Sequence, residues 1–116
     1  MAKLEREIPG YYDFDQVLNY LHDGILNSST SASYKGGSEY RCGDVRCTVR
    51  VYERYTLVGN NRLSLTVMLA GQGGRLFLSG ISAAGGSGIV DMFPWGEENF
   101  LNVLKALADE LNGQPE

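Results

Sequence analysis

Three arginines and a tyrosine occupy alternate positions in one stretch of the chain. Arg46, Arg50, Tyr52 and Arg54 are at even positions, whereas the odd positions from 45 to 51 hold only valine or cysteine. Because successive side chains of a strand point to opposite faces of its sheet, this alternation predicts a strand with a buried odd face and an open Arg/Tyr-rich even face. Guanidinium groups bind carboxylates and phosphates and stack on rings, so such a face suits an anion or a partner surface.

Three interpretations of this open face remain. An antiparallel sheet can expose one polar face to water without further function. The face could instead form the contact of a homodimer, or hold a small anionic ligand near Arg46, Arg50 and Arg54. We expect a noncatalytic binding or self-associating module, with an anion-binding protein or enzyme as the alternative.

Other residues capable of chemistry give weaker signals. The glycine-rich run 85–88 lacks the lysine and hydroxyl of a phosphate-binding loop, which indicates a plain connection. His22 is the only histidine and has no nucleophile motif beside it, so we interpret it as a half-exposed surface residue. Cys42 and Cys47 are too few for a zinc site and are predicted to be buried thiols. No catalytic residue, metal or cofactor is therefore expected.

Charge is distributed unevenly along the chain. The net charge is -4, yet residues 35–75 hold seven basic and three acidic side chains, and the rest of the chain is strongly acidic. With an isoelectric point of about 4.9, the protein would repel a polyphosphate, which argues against nucleic-acid binding. No apolar run approaches the roughly 20 residues that cross a bilayer, and the N-terminus lacks a signal-peptide core. We expect a cytoplasmic protein with no membrane partner.

Hydrophobic spacing predicts the elements that must position the arginines. Period-two alternation predicts strands at 3–8, 30–34, 39–42, 45–56, 63–70 and 75–82, with a short edge strand at 89–93. Helical spacing predicts one helix after an N-cap at Asp13 and a second from about Pro94 to Gly113. Trp95 would seal one end of the core.

Each helix has one apolar stripe that must be buried, and the strands are joined by loops too short for parallel crossovers. The sequence therefore predicts an α+β fold in two layers, an antiparallel meander with both helices on one face. No linker or repeat divides the chain, so residues 1–116 are expected to form one domain.

Three segments resemble a family of small bacterial proteins classed only as a domain of unknown function. They are the run 20–26, the stretch from Gly43 to Tyr55, and the ending that combines 85–87 with 96–101. The resemblance covers nearly the whole chain and implies a single domain in a bacterial cytoplasm. It implies no activity, cofactor or site residue.

Overall fold

A computed structural model describes residues 2–56, 61–85 and 95–113, without the side chains of residues 85 and 95–98. The elements are β1 (Ala2–Ile8), α1 (Phe14–Leu26), β2 (Ser33–Cys42), β3 (Val45–Tyr55), β4 (Arg62–Gln72), β5 (Arg75–Gly85) and α2 (Trp95–Leu111). Asp13 caps α1 as predicted, since its carboxylate accepts a hydrogen bond from the backbone N–H of Gln16. The edge strand predicted at 89–93 and the side chain of Trp95 lie outside this description.

The strands form one antiparallel sheet in the order β1-β5-β4-β3-β2. Strands β2 to β5 follow one another as a meander, and β1 completes the sheet beside β5. The chain therefore crosses from one edge strand to the other through α1. This arrangement confirms the predicted α+β fold.

The two helices lie on the same side of the sheet and bury its core. α2 packs on β1, β4 and β5 and also contacts α1. The alternate positions of β4 hold Leu63, Leu65, Val67 and Leu69, and these side chains are almost fully buried together with Leu78 of β5 and Leu104 of α2. Burying a leucine side chain stabilises the fold by about 1.5 to 3 kcal/mol, so this row fixes which side of the sheet the helices cover.

The prediction that the even positions of β3 face away from the helices is wrong. The register pairs Arg54 with Leu63 and Tyr52 with Leu65, and directly paired residues lie on the same side of a sheet. The even residues of β3 therefore share the helix-covered side with the buried leucines. The valines of β3 point to the opposite side, where Val49 and Val51 are half-buried and neither described helix covers them.

Strand β2 continues through a region predicted to interrupt it. The register shifts between Tyr34 and Gly36, so that Tyr34 pairs with Tyr52 while Gly36 pairs with the adjacent Val51. This irregularity is a β-bulge in which Lys35 is the extra residue, and Gly36 adopts a positive φ of 139°. The glycine pair bends the strand and does not end it.

No helix among residues 2–56, 61–85 and 95–113 is long and apolar enough to cross a membrane.

Candidate functional site

Arg46 connects the start of α1 to the β2–β3 hairpin. Its guanidinium lies 4.2 Å from the centre of the Phe14 ring and donates hydrogen bonds to Asp15 and to Glu39, at 2.8 and 3.0 Å. These bonds hold the pKa of the guanidinium above its ordinary value. A guanidinium already bound by two carboxylates has little capacity left for an external anion. Arg46 therefore has a structural role in this arrangement.

Arg54 lies at the other end of β3 against α2. Its guanidinium is 4.6 Å from the centre of the ring of Phe100, which is fully buried. Burial lowers the pKa of this arginine, and no carboxylate of the described residues lies within 4 Å of it. The cation–π contact with Phe100 partly compensates for the lost hydration.

Arg50, between these two, belongs to a compact group that we call the His–Tyr–Arg cluster: His22, Tyr34, Arg50 and Tyr52. The imidazole Nδ1 of His22 lies 2.7 Å from the hydroxyl of Tyr52. The ring of Tyr34 lies 5.2 Å from that of His22 and 5.5 Å from that of Tyr52, measured between centroids. The Arg50 guanidinium lies over the Tyr34 ring at 5.8 Å. Side chains from α1, β2 and β3 thus meet at one place.

The cluster has a buried floor and an accessible rim. Tyr52 is only 2% exposed, whereas Tyr34 is 44% exposed and both His22 and Arg50 are half-buried. Burial raises the pKa of the Tyr52 hydroxyl, although hydrogen bonding and the charge of Arg50 act in the opposite direction. The phenol therefore keeps its proton at neutral pH and can donate it to Nδ1 of His22. In that tautomer the second imidazole nitrogen of His22 carries a proton and is a donor.

The opposite side of the sheet has a different composition. We call it the helix-free face, and its centre consists of side chains from β3, β4 and β5: Val45, Cys47, Val49, Val51, Thr66, Met68, Ala70, Phe77, Ser79 and Ile81. Ile81 is 38% exposed, and Tyr40 of β2, beside Cys47, is 63% exposed. A shallow depression lined in part by Val45, Ala70 and Phe77 lies at one end. The face is mainly apolar, contrary to the Arg/Tyr-rich surface predicted.

Both cysteines lie on this helix-free face as free thiols. The predicted turn at Gly43-Asp44 is present, and it places Cys42 opposite Val45 and therefore on the same side as Cys47. Cys42 is exposed and Cys47 is half-buried. The prediction that both thiols are buried is therefore wrong, because α1 and α2 both pack on the other side of the sheet.

The structure separates the four residues predicted to bind a ligand or partner. It brings Arg50 and Tyr52 together, and it places Arg46 and Arg54 at separate contacts with the two helices. Sequence reasoning missed His22 and Tyr34 as members of a cluster. The available signal was Gly36-Gly37 within a strand, since glycine inside a strand often marks a bulge or a close approach.

Comparison with known proteins places the chain in a family. No curated protein matches the sequence. Residues 1–112 match the family described as "Family of unknown function (DUF6054)". This match covers all the described elements, in agreement with the resemblance seen in the sequence. The chain therefore belongs to this family of unknown function.

Proposed function

We propose that the protein is a self-associating module and that the helix-free face is the contact between two copies. The observation that carries this proposal is a continuous, partly exposed apolar surface on which no helix of the described residues packs. Apolar patches of this extent on a small protein usually mark interaction sites. This keeps the predicted use of the open face and replaces the residues expected to form it.

The size of the patch supports an interface. The three central strands, at a spacing of about 4.8 Å, and seven residues at about 3.3 Å each give on the order of 330 Å² in projection. The side chains at its border, including Tyr40 and the outward residues of β1, enlarge the footprint. A standard interface buries about 800 Å² of accessible surface on each partner, so the proposed contact includes this border as well as the apolar centre.

The charges around the patch favour a second copy over a strongly charged partner. Lys3 pairs with Glu5 at one edge, at 3.8 Å, and Glu7 pairs with Arg75 at 2.6 Å. At the end of the sheet Glu53 pairs with both Lys35 and Arg62. The charged side chains of the border are thus mostly paired within the chain, and an apolar centre with a border of paired charges is complementary to itself. Two such faces would stack about 10 Å apart with their strands rotated by about 30°.

A reducing cytoplasm suits this proposal, because exposed Cys42 and half-buried Cys47 would be prone to crosslinking in an oxidising compartment. The resemblance to small bacterial proteins fits the same setting.

The test is the molar mass in solution, measured by light scattering after gel filtration over a range of protein concentrations. We expect a dimer that dissociates on dilution. Val49→Lys and Met68→Lys, which alter a directly paired couple at the centre of the face, should each weaken the dimer at least tenfold. Asn102→Lys on the exposed surface of α2 adds the same charge elsewhere and should leave the dimer unchanged.

A thiol reagent gives an independent measurement on the unaltered chain. Cys47 should react several times more slowly at concentrations where the dimer forms than in dilute protein, because the contact would cover it. A monomer at the highest concentration tested, or equal loss of association in all three lysine variants, would reject the proposal.

A further inference from the structure

We propose that the His–Tyr–Arg cluster is a binding site for a small ligand that carries an oxyanion, either a phosphate or a carboxylate group. The cluster lies on the helix-covered side of the sheet, opposite the proposed dimer contact. This inference therefore does not depend on self-association, and its test is separate.

The bulge in β2 brings Tyr34 into the cluster. Beyond the bulge, Gly37 and Glu39 pair with Arg50 and Thr48, so the odd positions of β2 lie on the helix-covered side. Tyr34 is at an even position and would point to the helix-free face if the strand were regular. The extra residue reverses this parity, and Tyr34 lies opposite Tyr52. Bulges often redirect a side chain at a functional site.

Gly37 provides the space that this arrangement needs. A methyl group at this position would lie 2.9 Å from the hydroxyl of Tyr34 and 3.1 Å from Cγ of Arg50, and would collide with the carbonyl oxygen of Val49. Any larger residue would displace the phenol and the arginine from each other. The two adjacent glycines therefore have separate uses, one in the bulge and one in the close approach.

Arg50 supplies the positive charge for an anion. Arg46 lies four residues before Arg50 on the same side of β3 and has two carboxylate partners, whereas Arg50 has none within 4 Å among the described residues. The guanidinium of Arg50 lies beside the ring of Tyr34 and the hydroxyl of Tyr52. A half-buried guanidinium that faces rings and a phenol retains donors for an external oxyanion, because one phenol oxygen cannot accept hydrogen bonds from all five of its N–H groups.

Three side chains can donate to the same group. Arg50 offers its fork of N–H donors, Tyr34 offers an exposed hydroxyl, and His22 offers the nitrogen that is protonated when Nδ1 accepts from Tyr52. Hydrogen bonds from charged donors to oxyanions are among the strongest in proteins. Tyr52 fixes the orientation of His22 from below and acts as a positioning residue.

The experiment titrates the protein with sodium phosphate and, separately, with sodium acetate, and follows the side-chain signals of His22 and Arg50 by NMR. Sodium chloride keeps the ionic strength constant, so that general screening does not contribute. We expect saturable shifts with at least one of the two anions, and the stronger response identifies the headgroup.

Variants separate a built site from a diffuse charge effect. Arg50→Gln should weaken binding at least tenfold, and Tyr34→Phe, which keeps the ring, should weaken it about threefold or more. Arg62→Gln, on the opposite side of the sheet, removes the same charge and should leave binding unchanged. Far-UV circular dichroism should show that each variant is folded.

Two results would overturn the proposal. The first is the absence of saturable shifts with both anions in the unaltered protein. The second is an equal loss of binding in Arg50→Gln and Arg62→Gln, which would indicate attraction by net charge alone. If Arg50→Gln fails to fold, the comparison of Tyr34→Phe with Arg62→Gln decides the question.

Discussion

Gly24 of α1 lies so close to Leu107 of α2 that the glycine position has no room for a side chain. A methyl group built at Gly24 would lie 2.5 and 2.8 Å from the two terminal carbons of Leu107. Carbon atoms in proteins do not approach each other this closely, so the contact requires glycine. A residue that weakens α1 locally therefore allows the two helices to pack.

Gly24→Ala should lower the free energy of unfolding by about 1 kcal/mol, because Leu107 must move and the packing loosens. At an exposed helical site the same change would stabilise by about 1 kcal/mol. Urea denaturation followed by circular dichroism measures the difference. Asn19→Ala, on the exposed surface of α1, is the control and should be slightly stabilising. In a Leu107→Ala background, Gly24→Ala should become stabilising, and its failure to do so would contradict the contact.

Glu39 should make stability depend on pH in acid. Its carboxylate accepts hydrogen bonds from the Thr48 hydroxyl and from Arg41 and Arg46, and these bonds lower its pKa to about 2. The unfolded chain, with an ordinary glutamate pKa of about 4.3, binds this proton more readily. The stabilisation is therefore complete above about pH 4.3 and is lost as the pH falls towards 2.

Glu39→Gln should flatten this part of the stability curve, measured by urea unfolding between pH 2 and pH 6. The effect is modest because Glu39 is partly exposed to water. Glu5→Gln alters an exposed carboxylate on the opposite edge strand and should leave the acid limb unchanged. Parallel curves for the unaltered chain and Glu39→Gln would show that these hydrogen bonds do not persist in solution.

Ser82 is fully buried in β5, and its hydroxyl has no hydrogen-bond partner in the part of the chain that the structure describes. Burying an unpaired hydroxyl costs about 1 to 3 kcal/mol, so removing it should help the fold. We expect Ser82→Ala to raise the free energy of unfolding by about 1 kcal/mol in denaturant titrations. Ser79→Ala, on the helix-free face of the same strand, should change it by less than about 0.5 kcal/mol. Destabilisation by Ser82→Ala would mean that the hydroxyl has a partner.

Much of the architecture follows from local patterns. The period-two alternation of Leu63, Leu65, Val67 and Leu69 with Ser64, Thr66 and Met68 identifies β4. Asp13 identifies the start of α1 because its side chain can cap the helix. The apolar stripes of both helices indicate that one side of the sheet is covered. Each of these conclusions depends on neighbouring residues only.

The facing of β3 could not be predicted in the same way. Either the valines at the odd positions of β3 or the arginines and tyrosine at the even positions could lie beneath the helices. Valine is apolar, and arginine and tyrosine have long apolar parts. The register with β4 decides between them, and it depends on the connection of six residues between the paired Tyr55 and Arg62. One residue fewer would align the valines with the leucines and reverse every side chain. The helices cover the side of the sheet that carries the β4 leucines, because this arrangement buries more apolar surface.

The His–Tyr–Arg cluster also lay beyond local patterns. Its members are separated by up to 30 positions in the sequence, and they meet only because α1 runs beside the β2–β3 hairpin and because the bulge redirects Tyr34. Glycine pairs in strands are compatible with several distortions, and the sequence does not specify which one occurs.

Lys35 makes the number of residues in β2 matter separately from their types. Its own side chain is exposed and forms an ion pair with Glu53 at 3.9 Å, so many residue types should be tolerated at this position. Deletion of Lys35 would be a different change, because it would remove the bulge. The part of β2 before the bulge would then face the opposite side of the sheet, and the ring of Tyr34 would lie on the helix-free face. At this point the chain should accept substitution far more readily than deletion.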